Sequence, residues 1–168
     1  MLKDYFYVEL RQAVKLAIPL ESTTEVISVF RREICPIPGV APALLGAINQ
    51  RGRLLWVLDL SELFNLGASR GRSRPQDSLT LVITRANGTF SSEGKAQPQI
   101  ACVVSSLKGI VPLQESEFQP ISPEISQFMR SFVSGITEIE RASVGILNIN
   151  AVLARLQRSE SATSMVNP

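Results

Sequence analysis

The sequence of 168 residues contains no histidine and only two cysteines, which excludes several kinds of site. Histidine is the most usual general base and the commonest metal ligand, so its absence removes catalytic triads of the ordinary type. Cys35 and Cys102 are far apart and form no C-x-x-C pair, so we expect two reduced thiols and no zinc site. The composition therefore predicts a protein without a metal or other cofactor.

Other motifs and runs are also missing. There is no G-x-x-x-x-G-K-[ST] phosphate loop and no histidine to complete a catalytic triad, so no enzymatic activity is expected. No apolar run approaches the roughly 20 residues that a membrane-spanning helix needs. The first residues, 1–5, lack the charged-then-apolar layout of a signal peptide. These absences together predict a cytoplasmic protein.

Nucleic-acid binding stays open as the alternative function, in the form of a small-barrel nucleic-acid-binding protein. Its basis is a loop with Arg70, Arg72 and Arg74 among glycines and serines. Aromatic residues make up only 6% of the chain, the net charge is +2, and no aromatic residue lies between these arginines. Because single-stranded nucleic acids are held by aromatic stacking inside a positive groove, the loop favours a solvated surface over such a site.

Short β-branched and apolar runs, separated by turn residues, fill most of the chain and predict an all-β fold. The pattern by itself does not decide between a sandwich and small barrels. Predicted strands cover 5–10, 15–19, 25–30, 44–48, 54–60, 79–84, 100–104, 109–113, 132–139 and 144–149. The spacing of Val152, Leu153 and Leu156 predicts a C-terminal amphipathic helix over 149–156. We expect 67–76, 86–98 and 159–168 to be mobile.

The most informative segment is 37–66. Gly46 stands inside a strand pattern, which indicates a bulge or a close approach of another backbone. Asn49 and Gly52 flank Gln50 and Arg51 in a predicted tight turn, where both residue types tolerate positive φ. Asp59 and Ser61 are candidate N-caps for a short helical turn containing Leu63 and Phe64.

Residues 38–60 follow the pattern P-G-x-x-P-x-x-x-G-x-I-N-x-R-G-x-x-x-x-V-x-D-L, which resembles the core of CheW-like adaptor domains of bacterial chemosensory arrays. The resemblance extends over about 5–156 and is tightest through residue 66. It implies an all-β fold of two intertwined five-stranded SH3-like β-barrels with a short C-terminal helix. It also implies one CheW-like domain over 1–157 and a flexible tail over 158–168.

The resemblance implies a non-enzymatic adaptor in a two-component chemotaxis-like system. Such an adaptor joins the regulatory domain of a CheA-type histidine kinase to the cytoplasmic tip of a methyl-accepting chemoreceptor. The tip is a helical hairpin, so a groove between the barrels is expected to have an apolar lining with a few polar anchors. The output pathway stays open between flagellar taxis, pilus-dependent motility and others, and a specialised system such as pilus-dependent motility is our expectation.

The same resemblance implies a partner-binding site. Its expected residues are Thr23, Glu25, Gly46, Asn49, Arg51 and Gly52. A surface ion pair that only orders a turn is the alternative for Glu25 and Arg51. The chain departs from the family pattern where an aspartate is common, at Ser105 and at Asn148, and in a long hairpin over 85–98.

Overall fold

The computed structural model describes residues 1–67, 73–86, 98–123 and 125–164, with side chains up to residue 158. Its strands are β1 (Leu2–Glu9), β2 (Lys15–Pro19), β3 (Thr23–Phe30), β4 (Leu44–Gln50), β5 (Arg53–Asp59), β6 (Ser78–Arg85), β7 (Gln99–Val104), β8 (Ser106–Gln114), β9 (Val133–Ile139) and β10 (Ala142–Leu147). Its helices are α1 (Leu60–Leu63), α2 (Gln127–Arg130) and α3 (Ile149–Ser164). The fold is all-β with a C-terminal helix, as predicted.

The strands form two five-stranded sheets that are built from different parts of the chain. Sheet I has the order β8-β1-β2-β10-β9, and sheet II has the order β3-β6-β7-β5-β4. Sheet I is therefore built from both ends of the described chain, and sheet II from its middle. Each sheet contains one parallel pair, β2 with β10 and β5 with β7, and the remaining pairs are antiparallel. The chain leaves sheet I after β2 and returns with β8, which intertwines the two SH3-like barrels.

Most strands are buried on both faces. In β6, Leu81 and Ile83 pack inside the barrel of sheet II, while Val82 points into a core shared with sheet I. In β1, Tyr5 and Tyr7 pack inside the barrel of sheet I, while Val8 joins the shared core. Burial on both faces explains why these segments read as continuous apolar runs rather than as an apolar–polar alternation.

The shared core connects the barrels and the C-terminal helix. It contains Leu16 and Ile18 of sheet I, Leu58 and Cys102 of sheet II, and buried residues of α3, namely Ile149, Val152 and Leu153. Burial of large aliphatic side chains stabilises a fold by about 1.5–3 kcal/mol each. Among the described residues this core contains more buried side chains than the core of either barrel, so the two barrels stabilise each other.

Several element boundaries differ by a few residues from the sequence-based expectation, and two of the differences concern helices. Leu60, predicted as the end of a strand, begins α1, because the Asp59 carboxylate accepts the N–H groups of Ser61 at 3.0 Å and Glu62 at 3.4 Å. The helix predicted over 149–156 continues to Ser164. Of the stretches expected to be mobile, half of 67–76, nearly all of 86–98 and the last four residues of 159–168 lie outside the described residues.

Candidate partner-binding site

The turn between β4 and β5 carries the centre of the predicted site. Gln50 pairs with Arg53, which leaves Arg51 and Gly52 as a two-residue loop with φ values of +52° and +79°. Positive φ at both central residues is the signature of a type I′ turn, whose twist matches that of the flanking strands. The prediction that Asn49 adopts positive φ is wrong. Asn49 lies in β4 and instead accepts the Gly52 N–H through its side-chain oxygen at 3.0 Å.

Arg51 and Glu25 come together at this turn. The Arg51 Nη2 lies 3.4 Å from Glu25 Oε2, and Gln50 Nε2 donates to the other oxygen of Glu25 at 3.3 Å. Glu25 lies on β3 and Gln50 on β4, the two edge strands of sheet II, so these contacts join the edges of the barrel. The Arg51 side chain is 79% exposed, and an exposed ion pair of this kind stabilises a fold by at most about 1 kcal/mol.

Leu54, which the sequence analysis did not single out, adds an apolar group to the same surface. It pairs with Asn49 across the hairpin and is 75% exposed, while the following Leu55 is buried inside the barrel. Single exposed leucines are ordinary on protein surfaces, so Leu54 is relevant to the site only because it lies on the hairpin that carries Arg51. The sequence gives no signal for this placement, because residues 54–58 form a continuous apolar run without alternation.

Gly46 has a structural role that the sequence predicted correctly. Its φ is +142°, β4 has a bulge between Leu44 and Gly46, and Cys35 pairs with Ala47 in an isolated bridge. A Cβ atom on Gly46 would overlap the carbonyl oxygen of Cys35 and lie 2.7 Å from its carbonyl carbon. The backbone of the preceding loop therefore approaches too closely for any other residue.

Thr23 lies at the start of β3, away from the turn. Its hydroxyl donates to the carbonyl of Pro19 at 3.1 Å, which links the end of β2 to the beginning of sheet II. Thr23 and Glu25 flank a bulge at Thr24, since they pair with Thr84 and Ile83 respectively. Glu25, Asn49, Arg51 and Gly52 thus form one group at the turn. A direct contact of Thr23 or Gly46 with a partner stays a prediction.

An apolar cleft of about 220 Å³ lies between sheet I and the segment 121–129, and Phe64, which follows α1, forms a further part of its wall. Its walls are mainly aliphatic and aromatic, with Lys15 and Ser143 among the polar lining residues. The apolar lining includes Val14, Leu16, Phe64, Ile121, Ile125, Met129, Val133 and Ile136. This cleft matches the expected chemistry of a groove that receives apolar side chains from a helix.

One departure from the family pattern, at Asn148, has a structural function. Asn148 precedes α3, and its side-chain oxygen accepts the Ala151 N–H at 3.1 Å, so it caps the helix. Asparagine and aspartate are equally effective N-caps, which makes this departure conservative. Ser105 follows β7, and its backbone N–H donates to the Glu9 carbonyl at 2.9 Å next to the Glu9–Ser106 pair of sheet I, a contact that any residue except proline would make. The hairpin over 85–98 lies largely outside the described residues.

Comparison with known proteins agrees with this architecture. A family model, the CheW-like domain, matches residues 4–157. The chain belongs to the CheW-like domain family. Because the match covers nearly the whole chain, the CheW-like assignment applies to both barrels and to the first half of α3.

Two individual proteins are similar to this CheW-like chain. "Chemotaxis protein CheW" of Rhizobium meliloti (strain 1021) is 24% identical over 123 residues, which are 73% of this chain and 71% of that protein. The crystal structure of scaffolding protein TtCheW from Thermoanaerobacter tengcongensis matches with a TM-score of 0.71 and 20% identity, and covers 89% of this chain and 86% of that chain. The second likeness shows the fold.

Family membership gives the general function. The chain is a non-catalytic CheW-like scaffold of chemotaxis signalling, as the resemblance implied. Within the residues that the structure describes, no helix is long and apolar enough to cross a membrane.

Proposed function

We propose that this protein is a cytoplasmic adaptor that couples the cytoplasmic tip of a methyl-accepting chemoreceptor to the regulatory domain of a CheA-type histidine kinase. The contact surface that we propose consists of Glu25, Asn49, Arg51, Gly52 and Leu54. The observation that supports it best is the placement of Arg51, a long charged side chain that is 79% exposed at the tip of a type I′ turn.

Stability does not account for arginine at this position. Type I′ turns favour asparagine, aspartate or glycine, because positive φ brings the Cβ atom of other residues close to the backbone. The exposed pair with Glu25 offsets little of that cost. An arginine is, however, well suited to a partner, since its planar group donates two parallel hydrogen bonds to a carboxylate or to peptide carbonyls.

The apolar cleft supports a second contact. Its volume of about 220 Å³ is below the roughly 300–1,000 Å³ typical of small-molecule sites, but it accommodates apolar side chains from one face of a helix. A helical hairpin offers such side chains at positions i, i+3 and i+4. Phe64 and Met129 in its wall give the cleft an adaptable surface.

The test is a binding assay with the purified kinase regulatory domain and with the receptor hairpin, each from the same organism. We expect Arg51→Glu to weaken at least one interaction by several kcal/mol, because the reversed charge faces the former partner of the arginine. The free energy of unfolding should fall by no more than about 1 kcal/mol. Arg141→Glu is the matched control, since Arg141 also has positive φ and lies in the two-residue turn between β9 and β10.

Two further variants separate binding from structure. The swap of Glu25→Arg with Arg51→Glu preserves the internal pair, so recovery of both binding and stability would assign the two residues to the fold alone. Arg51→Asn relieves the unfavourable φ and should leave stability unchanged or raise it by up to about 1 kcal/mol while weakening binding. Normal binding by Arg51→Asn and by Arg51→Glu would refute the proposed surface. Pilus-dependent motility as the output stays a prediction of the sequence.

A further inference from the structure

A second cleft, of about 470 Å³, lies at one end of sheet II. Its walls come from the turns that follow β1 and β3, the start of β4 and the residues before it, the start of β6, the end of β7, and α1 with the residue preceding it. The polar lining residues are Arg11, Arg31, Asp59, Ser61, Glu62, Ser73, Ser78, Thr80 and Ser105. None of the residues that line the apolar cleft lines this one, and neither Glu25 nor Arg51 contributes to it. We call it the arginine cleft.

Arg11 is already fully engaged in this cleft. Its Nη2 lies 3.1 Å from Asp59 Oδ2 and 3.2 Å from Glu62 Oε1, and its Nη1 donates to the Gly67 carbonyl. The second oxygen of Asp59 accepts the first N–H groups of α1. The carboxylates of Asp59 and Glu62 are therefore already paired with Arg11, and Asp59 also with backbone N–H groups, so each attracts a further cation only weakly.

Arg31 is in the opposite situation. Its backbone N–H donates to the Asp77 carbonyl at 2.8 Å, which places the residue at the cleft, and its side chain is partly buried. Within the described part of the chain the guanidinium forms no ion pair, and Nε is shielded from solvent without a hydrogen-bond partner. Because Nε is shielded, a molecule in the cleft can reach this guanidinium only at its two Nη groups, which form no ion pair or hydrogen bond with the described residues. The adjacent Arg32 differs, since it lies over the Phe30 ring at 4.4 Å.

We propose that the arginine cleft binds an oxyanion, a carboxylate or phosphate group, through Arg31. The two Nη groups of a guanidinium donate two parallel hydrogen bonds to such a group, so an oxyanion in the cleft can pair with the open end of Arg31. Hydroxyl groups of Ser78, Thr80 and Ser105 line the same space and are further donors. The volume lies within the roughly 300–1,000 Å³ range of small-molecule sites.

The oxyanion has two sources with the same chemistry, a free small anion or an acidic side chain of a bound protein. Inorganic phosphate represents the first, and a short capped peptide with one glutamate represents the second. A peptide with glutamine in place of that glutamate is its control. The measurement is the Nε–Hε cross-peak of Arg31 in the ¹⁵N-labelled full chain, titrated at constant ionic strength and assigned by its loss in Arg31→Lys.

We expect a saturable shift of the Arg31 cross-peak with phosphate, with the glutamate peptide or with both, and none with the glutamine peptide. Thermal melts should show a rise in Tm that depends on ligand concentration. The apparent affinity obtained from this rise should be at least tenfold weaker for Arg31→Gln and unchanged for Arg32→Gln. Response to phosphate alone identifies a small-anion site, and response to the peptide alone identifies a protein-docking site. The absence of a saturable shift with either probe, or equal shifts at Arg31 and Arg32, overturns the proposal. Neither probe involves the receptor or kinase, so the result is independent of the proposed adaptor surface.

Discussion

Replacing Gly46 with alanine tests the packing of β4 against the loop that precedes it. The added Cβ atom would overlap the Cys35 carbonyl oxygen, and its neighbour there is backbone, which cannot rotate away as a side chain can. Two hydrogen bonds depend on this approach, from Cys35 N to Ala47 O at 2.8 Å and from Ala47 N to Cys35 O at 2.9 Å. The loop has to move, so both bonds are weakened or lost.

The expected loss follows from these contributions. Positive φ at a residue with a side chain costs roughly 1–2 kcal/mol. The two backbone hydrogen bonds contribute about 0.5–1.5 kcal/mol each. Gly46→Ala should therefore lower the free energy of unfolding by about 3 kcal/mol. For a chain of this length, each kcal/mol corresponds to about 2–4 °C, so Tm should fall by about 6–12 °C.

Gly52→Ala is the matched control. Gly52 also has positive φ, at +79°, but a Cβ atom there meets nothing within 4 Å. Its loss should stay near 1–2 kcal/mol, because only the φ contribution applies. Urea unfolding of both variants measures the difference. If Gly46→Ala is no less stable than Gly52→Ala, the close approach to Cys35 is not what requires glycine, and the reasoning fails.

Two further predictions concern the Arg11–Asp59 ion pair and the buried thiol of Cys102. Arg11→Met should destabilise the fold by about 2–3 kcal/mol in urea unfolding, because it leaves Asp59, which is 14% exposed, without its cation. The control Lys108→Met breaks a more exposed pair with Glu9 and should change stability by less than about 1 kcal/mol, so similar losses for the two variants would contradict the prediction. Burial raises the pKa of Cys102 to about 12, so iodoacetamide at pH 8 should modify the exposed Cys35 first. The free energy of unfolding should fall as pH rises from about 9 to 12, because the Cys102 thiol ionises in the unfolded chain over this range and stays protonated in the folded one. A Cys102→Ala variant that loses stability equally steeply over this range would contradict the prediction.

Local chemistry was sufficient to predict many elements. The turn at Arg51 and Gly52, the bulge at Gly46 and the Asp59 cap depend on residues within a few positions of each other, so their patterns are readable in the sequence. The strand segments were also found, because β-branched runs bounded by turn residues mark extended chain. The family resemblance supplied the barrel architecture, which periodicity did not decide.

Longer-range arrangement decided the rest. Arg11 falls between the predicted strands 5–10 and 15–19, where nothing in the sequence indicates its partner, yet it pairs with Asp59, 48 positions away, and joins the two sheets. Nothing near Arg31 in the chain indicates that its guanidinium faces a cleft without a partner, because that depends on where β6, β7 and α1 come to lie. Only the structure distinguishes Leu54 from Leu55, because Leu54 is exposed and Leu55 faces the interior.

The sequence by itself determined which segments extend, where they turn and which residue types occupy the turns, because these follow from backbone sterics and from neighbours close in the chain. Only the tertiary structure decided which side chains meet. Glu25 and Arg51 are 26 positions apart and touch because the edge strands β3 and β4 approach as the barrel closes. That closure depends on strands buried on both faces, whose uniform apolar sequence does not specify which face meets which core.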